Sequence, residues 1–251
     1  MKPRITLQQK EKLEIEFWKN NPIESSENLA KENLLNKIIE CKHFDYKLKK
    51  YNHLIHDKKN ILEIGSGQGW ASCYFKKYFS SDAHHTVTDI SPYALESLVH
   101  WEKIFDINID HSYPAKSYKI DAPDDHFDLI FSFASVHHFV KQEESIIELK
   151  RILKSDGLIL YLYEPTSPKL WYPLVYKLVN NRHYSTPEDV LIPNEIKKIC
   201  QNHSLKCHID FDPYQSTIRS LWSGLYFKIL HFFPGINRFV PNSATFIISN
   251  L

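Results

Sequence analysis

Residues 60–70 read Asn-Ile-Leu-Glu-Ile-Gly-Ser-Gly-Gln-Gly-Trp, and they constrain the fold more than any other stretch. Ile61, Leu62 and Ile64 form a short apolar run of the kind buried in a parallel strand. Gly65, Gly67 and Gly69 follow, from a chain with only six glycines. Glycine permits positive φ, and without a Cβ it lets backbone come close to a ligand. Residues 71–79 then carry Ala71, Tyr74, Phe75 and Tyr78 on one side, which predicts a helix. Strand, glycine turn and helix N-terminus make the first βα unit of a nucleotide-binding sheet. A dinucleotide fingerprint would need a further glycine at position 70, where Trp70 stands.

A chain of 251 residues has room for one large α/β domain or two small ones. Lys and Arg number 31 against 30 Asp and Glu, so no global field favours nucleic acid. Cys41, Cys73, Cys200 and Cys207 include no C-x-x-C pair, and the expectation is reduced, buried thiols in a cytoplasmic protein. No Asp/His pair stands at ligand spacing, so no metal is expected. Residues 1–10 lack the apolar core of a signal peptide. No window approaches ~18 consecutive apolar residues, so no membrane span is expected.

Before the glycine turn, residues 6–20, a stretch from Ser25 or Ser26 carrying Leu29, Leu34, Leu35, Ile38 and Ile39, and residues 43–55 read as helices. Residues 1–56 are thus a helical extension, either a cover for the substrate side or edge packing, ahead of a domain over 57–251. After it, Thr86–Thr88 predict the second strand, with Asp89 at its end and twenty residues beyond Gly69. In doubly wound sheets an acidic residue there accepts hydrogen bonds from both ribose hydroxyls. The competing reading of Asp89 is a helix cap before Ser91-Pro92. A helix over 94–105 follows, then a third strand at either 107–109 or 118–120. Residues 127–133 give the fourth strand, 145–154 an amphipathic helix, and 158–163 the fifth strand, ending at Glu164-Pro165. A helix over 194–203 and strands at 205–211 and 243–250 complete the pattern. Two aromatic-rich stretches exceed it, 166–193 and 214–240. They read as core or dimer face, as an apolar substrate wall, or, for 214–240, as a membrane-surface helix with Arg219, Lys228 and Arg238 toward head groups.

The segment Glu63–Gly69 resembles the first motif of class I S-adenosylmethionine-dependent methyltransferases. Phe127-Asp128 through His137-His138 is similar to a segment of the group called type 11, and residues 148–160 resemble that group's Arg-Val-Leu-Lys-Pro-Gly-Gly turn, with Ser155-Asp156 in place of Pro-Gly. The resemblance spans residues 60–164. It implies an α/β fold with a seven-stranded, doubly wound Rossmann-like sheet of order 3-2-1-4-5-7-6, strand 7 antiparallel. It also implies S-adenosyl-L-methionine as cofactor and S-adenosyl-L-homocysteine as product.

Cofactor contacts are then expected from Gly65, Ser66, Gly67, Gly69 and Trp70, from Asp89 at the ribose, and from Ile90 and Ser132. Glu63 is expected to orient the methionine ammonium. Asp121-Ala122 has the family's adenine-side composition, but it stands only seven residues before Asp128. Spacing points instead to Ala115, Lys116 and Ser117, so either the loop is shortened or adenine is held by backbone and Ser117. The acceptor is expected to be a small molecule, methylated on oxygen, with His137, His138, Glu164 and His183 as candidate bases. The competing reading of His137 and His138, which the residues favour, is a packing, hydrogen-bonded histidine, and Glu164 could instead hold an amine or hydroxyl of the acceptor. A homodimer fits the aromatic stretches. The alternatives to methyl transfer are a non-catalytic, cofactor-binding pseudo-methyltransferase subunit and an NAD-dependent oxidoreductase on the same sheet.

Overall fold

The computed structural model describes residues 6–26, 30–180, 189–213 and 221–251. Thr6 opens α1 (Leu7–Asn20) with a capping box to Gln9. α2 (Lys31–Lys50) and the single turn α3 (Asn52–Ile55) follow. β1 (Asn60–Ile64) passes through the glycine turn into α4 (Trp70–Phe79) and β2 (His84–Asp89). α5 (Pro92–Leu95) and α6 (Leu98–Phe105) lead to β3 (His111–Pro114) and β4 (Phe127–Phe133). α7 (Gln142–Ile152) and β5 (Leu153–Thr166) come next, then α8 (Tyr172–Asn180), α9 (Pro193–Asn202) and β6 (Leu205–Phe211). α10 (Leu221–Phe232) and β7 (Asn242–Asn250) finish the chain.

Among the described residues the seven strands form one sheet of order 3-2-1-4-5-7-6. β7 runs antiparallel to both β5 and β6, and the other pairs are parallel. Successive side chains of a strand face opposite sides, so apolar runs feed two cores at once. Leu62, Ile130, Ile159 and Phe246 join α7 and α9 on one face. Ile61, Leu129, Phe131 and Leu160 meet α2, α4 and α6 on the other. β1 and β4 lie at the centre of the sheet, which places the glycine turn and the loop after β4 side by side at the carboxyl ends of the strands.

Several elements depart from the expectations. The third strand is His111–Pro114, not 107–109 or 118–120. It is an edge strand paired only with β2 and mostly exposed, so no apolar run marks it. Ile107 and Ile109 pack beside the second core instead, and Ile120 enters the first. The helix expected over 94–105 breaks at Glu96-Ser97 into α5 and α6. β5 extends to Thr166 by crossing a bulge opposite β7 between Tyr161 and Glu164. α2 begins after Ala30, not at a serine cap, and Leu29 lies outside the described residues. Its Leu34, Leu35 and Ile38 are exposed, while His43, Phe44, Lys47 and Leu48 are buried.

α2 turns that polar-looking face inward because β6 supplies acids. Lys47 is fully buried, with Nζ 2.9 Å from Asp212 Oδ2 and 3.2 Å from Thr245 Oγ1. Lys50 Nζ lies 2.7 Å from Asp210, and Tyr51 donates to the same carboxylate at 2.6 Å. Removing one partner of such a buried pair costs about 3–5 kcal/mol.

Candidate active site

Gly65, Gly67 and Gly69 have φ of +62°, +54° and +77°. Only glycine takes three such values in five residues without strain. At Gly67 an added Cβ would stand 2.9 Å from the Trp18 ring. Asp89 reaches from the end of β2 to hold this turn: its Oδ2 accepts from Gly67 N at 2.8 Å and its Oδ1 from Ser91 N at 2.8 Å. Burial pushes the Asp89 carboxyl up to about 6, against those backbone hydrogen bonds. Two carboxylate oxygens offer about four acceptor sites, so capacity remains for a ligand's hydroxyls.

The turn forms one wall of a cavity of about 860 Å³, within the usual size of small-molecule sites. Gly65, Ser66, Gly67, Trp70, Asp89, Ile90, Lys116 and Ser117 line it. His137 and His138 face it from the loop after β4. Tyr163, Pro165, Val179, Phe227 and Ser243 close the side away from Asp89. Asp121 is not among the lining residues, whereas Ala115-Lys116-Ser117, next after β3, are.

Four expected site residues stand outside the lining. Glu63 turns beneath the turn, and its Oε2 accepts from Ser72 N at 3.1 Å, at the N-terminus of α4. Burial, with a small push from Asp89, raises its carboxyl to about 8. Gly69 ends the turn as the α4 cap, with Leu98 where a Cβ would be. Ser132 is buried in β4, opposite Tyr161 of β5. Glu164 is fully buried and does not meet the cavity. His183 lies outside the described residues.

Glu164 works beneath the post-β4 loop. Its Oε1 accepts from Ser135 N and Val136 N, each at 2.9 Å. Its Oε2 accepts from His137 N at 3.2 Å and lies 2.9 Å from His137 Nδ1. A carboxylate thus caps the short 3-10 turn Val136–His138 and grips the imidazole that follows. The chain reaches this cap by a tight bend in which Ala134 has φ +52°, and Tyr163 beside it has φ +59°. Strained non-glycine backbone concentrates at functional sites. His138 packs against His137, with ring centroids 4.2 Å apart, and its Nδ1 is 3.5 Å from Glu14 Oε2. Burial and then the neighbouring His137 hold its pKa well below the usual histidine range.

α1 contributes residues that the motif pattern does not reveal. Glu11, Glu14 and Trp18 all line the cavity. Glu11 accepts from Lys116 Nζ at 2.7 Å and from the Tyr118 hydroxyl. The three positions are spaced i, i+3 and i+7, one face of a helix. That spacing was the available signal, two acids and a tryptophan on one stripe.

Sheet order, glycine turn and the acid after β2 together are those of the class I S-adenosylmethionine-dependent methyltransferase fold, the fold expected from the sequence. Residues 62–161 match the family model described as a methyltransferase domain. Solved structures share the fold. The YcgJ protein of Bacillus subtilis superposes with a TM-score of 0.60 at 15% identity, over 84% of this chain and 99% of that one. A geranyl diphosphate methyltransferase in complex with SAM gives 0.62 at 10%, over 84% and 86%. A phosphoethanolamine N-methyltransferase of Haemonchus contortus, bound to phosphomonomethylethanolamine and S-adenosylhomocysteine, gives 0.59 at 14%, over 82% and 52%. No curated protein sequence matches the chain. Identities this low carry the fold and say nothing of the acceptor. Among the described residues no helix is long and apolar enough to cross a membrane, and no group of three or more His, Cys, Asp or Glu is placed to hold a metal ion.

Proposed function

We propose that this chain transfers the methyl group of S-adenosylmethionine to a hydroxyl of a small, largely apolar acceptor, with His137 as general base. The observation that carries the reading is the 2.9 Å contact between His137 Nδ1 and the buried Glu164, with His137 in the cavity wall. Glu164 offers no proton when ionised, so Nδ1 is the donor and Nε2 the accepting nitrogen of the ring. The same carboxylate stabilises the imidazolium that forms when Nε2 takes the acceptor's proton.

The residues present fit the cofactor. A backbone turn lacking Cβ atoms lets a ligand lie against it. In this reading Asp89 would accept from the ribose hydroxyls, and Ile90, Lys116 and Ser117, which line the same cavity, would flank the adenine. Bound there, the cofactor supplies a methyl group activated by its sulfonium. The chain's own task is to hold acceptor oxygen and methyl carbon within ~3–3.5 Å and in line, away from water. Tyr163, Val179 and Phe227 offer the acceptor an apolar wall.

Turnover of methyl-labelled cofactor against fractionated small-molecule extracts, with mass spectrometry of the product, tests this. His137→Ala should lower turnover ~10²–10⁴-fold with cofactor affinity unchanged. Glu164→Gln keeps the shape and should shift the pH–rate profile. Equal turnover in His137→Ala would leave positioning as the whole of catalysis. Tight cofactor binding with no transfer to any fraction would point to a non-catalytic subunit.

A further inference from the structure

The two aromatic-rich stretches build a surface that a water-facing protein does not need. On α10 the residues at i, i+3, i+7 and i+10, Trp222, Leu225, Ile229 and Phe232, form one outward stripe. Trp222 is 81% exposed and Phe232 75%. The inward side carries Phe227, which lines the cavity, and the buried Leu230. A surface helix ordinarily shows the reverse, polar outside and apolar inside. α8 repeats the pattern, with Leu174 and Leu178 exposed and Val179 on the cavity. Trp171 Nε1 donates to Phe239 O at 3.1 Å, which joins the start of α8 to the turn after α10. Both helices thus border the same cavity and turn apolar side chains outward, a concentration of exposed large apolar residues of the kind that marks interaction surfaces.

Charge on that face has one sign. Residues 167–180 and 221–241 contain Lys169, Lys177, Lys228 and Arg238 and no Asp or Glu, in a chain with a net charge of only +1. Lys169 is paired with Glu195 at 3.1 Å. Lys228 flanks the stripe on α10, Lys177 lies on α8, and Arg238 lies in the turn that follows α10. A twelve-residue helix spans ~18 Å, short of the ~30 Å hydrocarbon layer, so α10 can lie on a bilayer but not cross it. Apolar side chains flanked by cations suit the boundary between acyl chains and anionic head groups.

We propose that the α8–α10 face docks on a membrane surface rich in anionic phospholipid, with the outward stripe of α10 in the head-group layer. The full-length protein would be sedimented with phosphatidylcholine vesicles containing or lacking phosphatidylglycerol. It should pellet with the anionic vesicles only and release at high salt. Trp222→Asp with Phe232→Asp should abolish pelleting while the melting temperature and S-adenosylhomocysteine affinity stay unchanged. Lys228→Glu with Arg238→Glu should remove the preference for anionic lipid. Tryptophan emission should shift to the blue on vesicles, and Trp222→Phe should lose most of that shift while still pelleting. Absence from both vesicle pellets, or pelleting that survives the double aspartate variant, would overturn the proposal. So would a dimer in sedimentation equilibrium that the aspartate variant dissolves in a protein that ignores vesicles, since a second copy would then cover the face.

Discussion

Asp89 holds the glycine turn through Gly67 N and sits on the cavity wall at the same time. Its carboxyl is raised to about 6 because it is buried, so it is charged at neutral pH and loses that charge in mild acid. Hydrogen bonds from ribose hydroxyls to the ionised form are the stronger ones, worth roughly 1.5–3 kcal/mol each. Cofactor affinity should therefore be constant above about pH 7 and weaken as pH falls through about 6. Titration calorimetry with S-adenosylhomocysteine across that range would show it. Asp89→Asn should bind more weakly throughout and lose the pH dependence, and a wild-type affinity flat to pH 5 would remove the charged carboxylate from the ribose contact. This residue was legible because its signal is local, an acid at the end of a β-branched stretch, Thr86–Thr88, at a fixed distance from the turn. Glu164 and His137 were each visible, but not as a pair, since only the pairing of β5 with β4 brings them together. Glu63 was visible too, yet its direction depends on the α4 amides, which no spacing rule reports.

At the scale of elements, α1 is the piece that closes the site. Trp18 lies on Gly67, Glu14 approaches His138, and Glu11 binds Lys116. α1 buries little of itself, with Glu11 its only buried residue, so its place is set by these cavity contacts more than by the core. Trp18→Ala should leave the melting temperature within about 2–4 °C. It should weaken S-adenosylhomocysteine binding about tenfold, near 1.4 kcal/mol, chiefly through faster release. Stopped-flow dissociation rates would check it, and an unchanged off-rate would make α1 mere edge packing. Gly67→Ala adds strain at φ +54° as well as a clash with Trp18. If the double variant with Trp18→Ala recovers no binding, strain in the turn dominates the clash. Legibility followed burial here as well. β1 and β4 were readable because an apolar run marks a strand buried on both faces, and β6, though at an edge, because Leu205, Cys207, Ile209 and Phe211 alternate onto the first core. β3 was not, because an edge strand with one partner and little burial needs no such pattern. The inner face of α2 was misread for a related reason. Its buried lysine is matched by Asp212 more than 160 positions away, and no local window contains both.

Over the whole molecule, the buried titratable groups set an acid and an alkaline limit to stability. His43 and His85 are depressed to about 3, in each case first by burial, and His138 is held well below its usual range. An unfolded histidine takes its proton near pH 6.5. The folded chain does not follow, so these three groups withdraw stability as pH falls below 6.5. Glu63 has the opposite sign. Its folded carboxyl is raised to about 8 against about 4.3 unfolded, so the folded state keeps a proton that the unfolded state has lost. Its contribution is complete in acid and disappears as pH rises through about 8. Asp89 acts likewise below about 6 and offsets part of the histidine loss there. Each unmatched proton changes stability by about 1.4 kcal/mol per pH unit. At pH 6.5 the three unfolded histidines carry about one and a half protons against one on folded Glu63; at about pH 5.5 they carry nearly three, against one on Glu63 and most of one on Asp89, so the net slope is about one. Between 6.5 and 8 Glu63 dominates, the Cys41 thiol that burial pushes up adds the same sign, and stability rises as pH falls. The cofactor-free protein should thus be most stable near pH 6.5. Urea midpoints from about pH 9 to about pH 5 would trace that maximum. Glu63→Gln keeps an acceptor for Ser72 N and should flatten the alkaline limb and steepen the acid one, because the proton that opposes the histidines is lost with it. A midpoint that climbs steadily to pH 9 in the wild type would mean that Glu63 is ionised in the folded protein at neutral pH, with Ser72 N and the positive end of α4 sufficient to hold its charge.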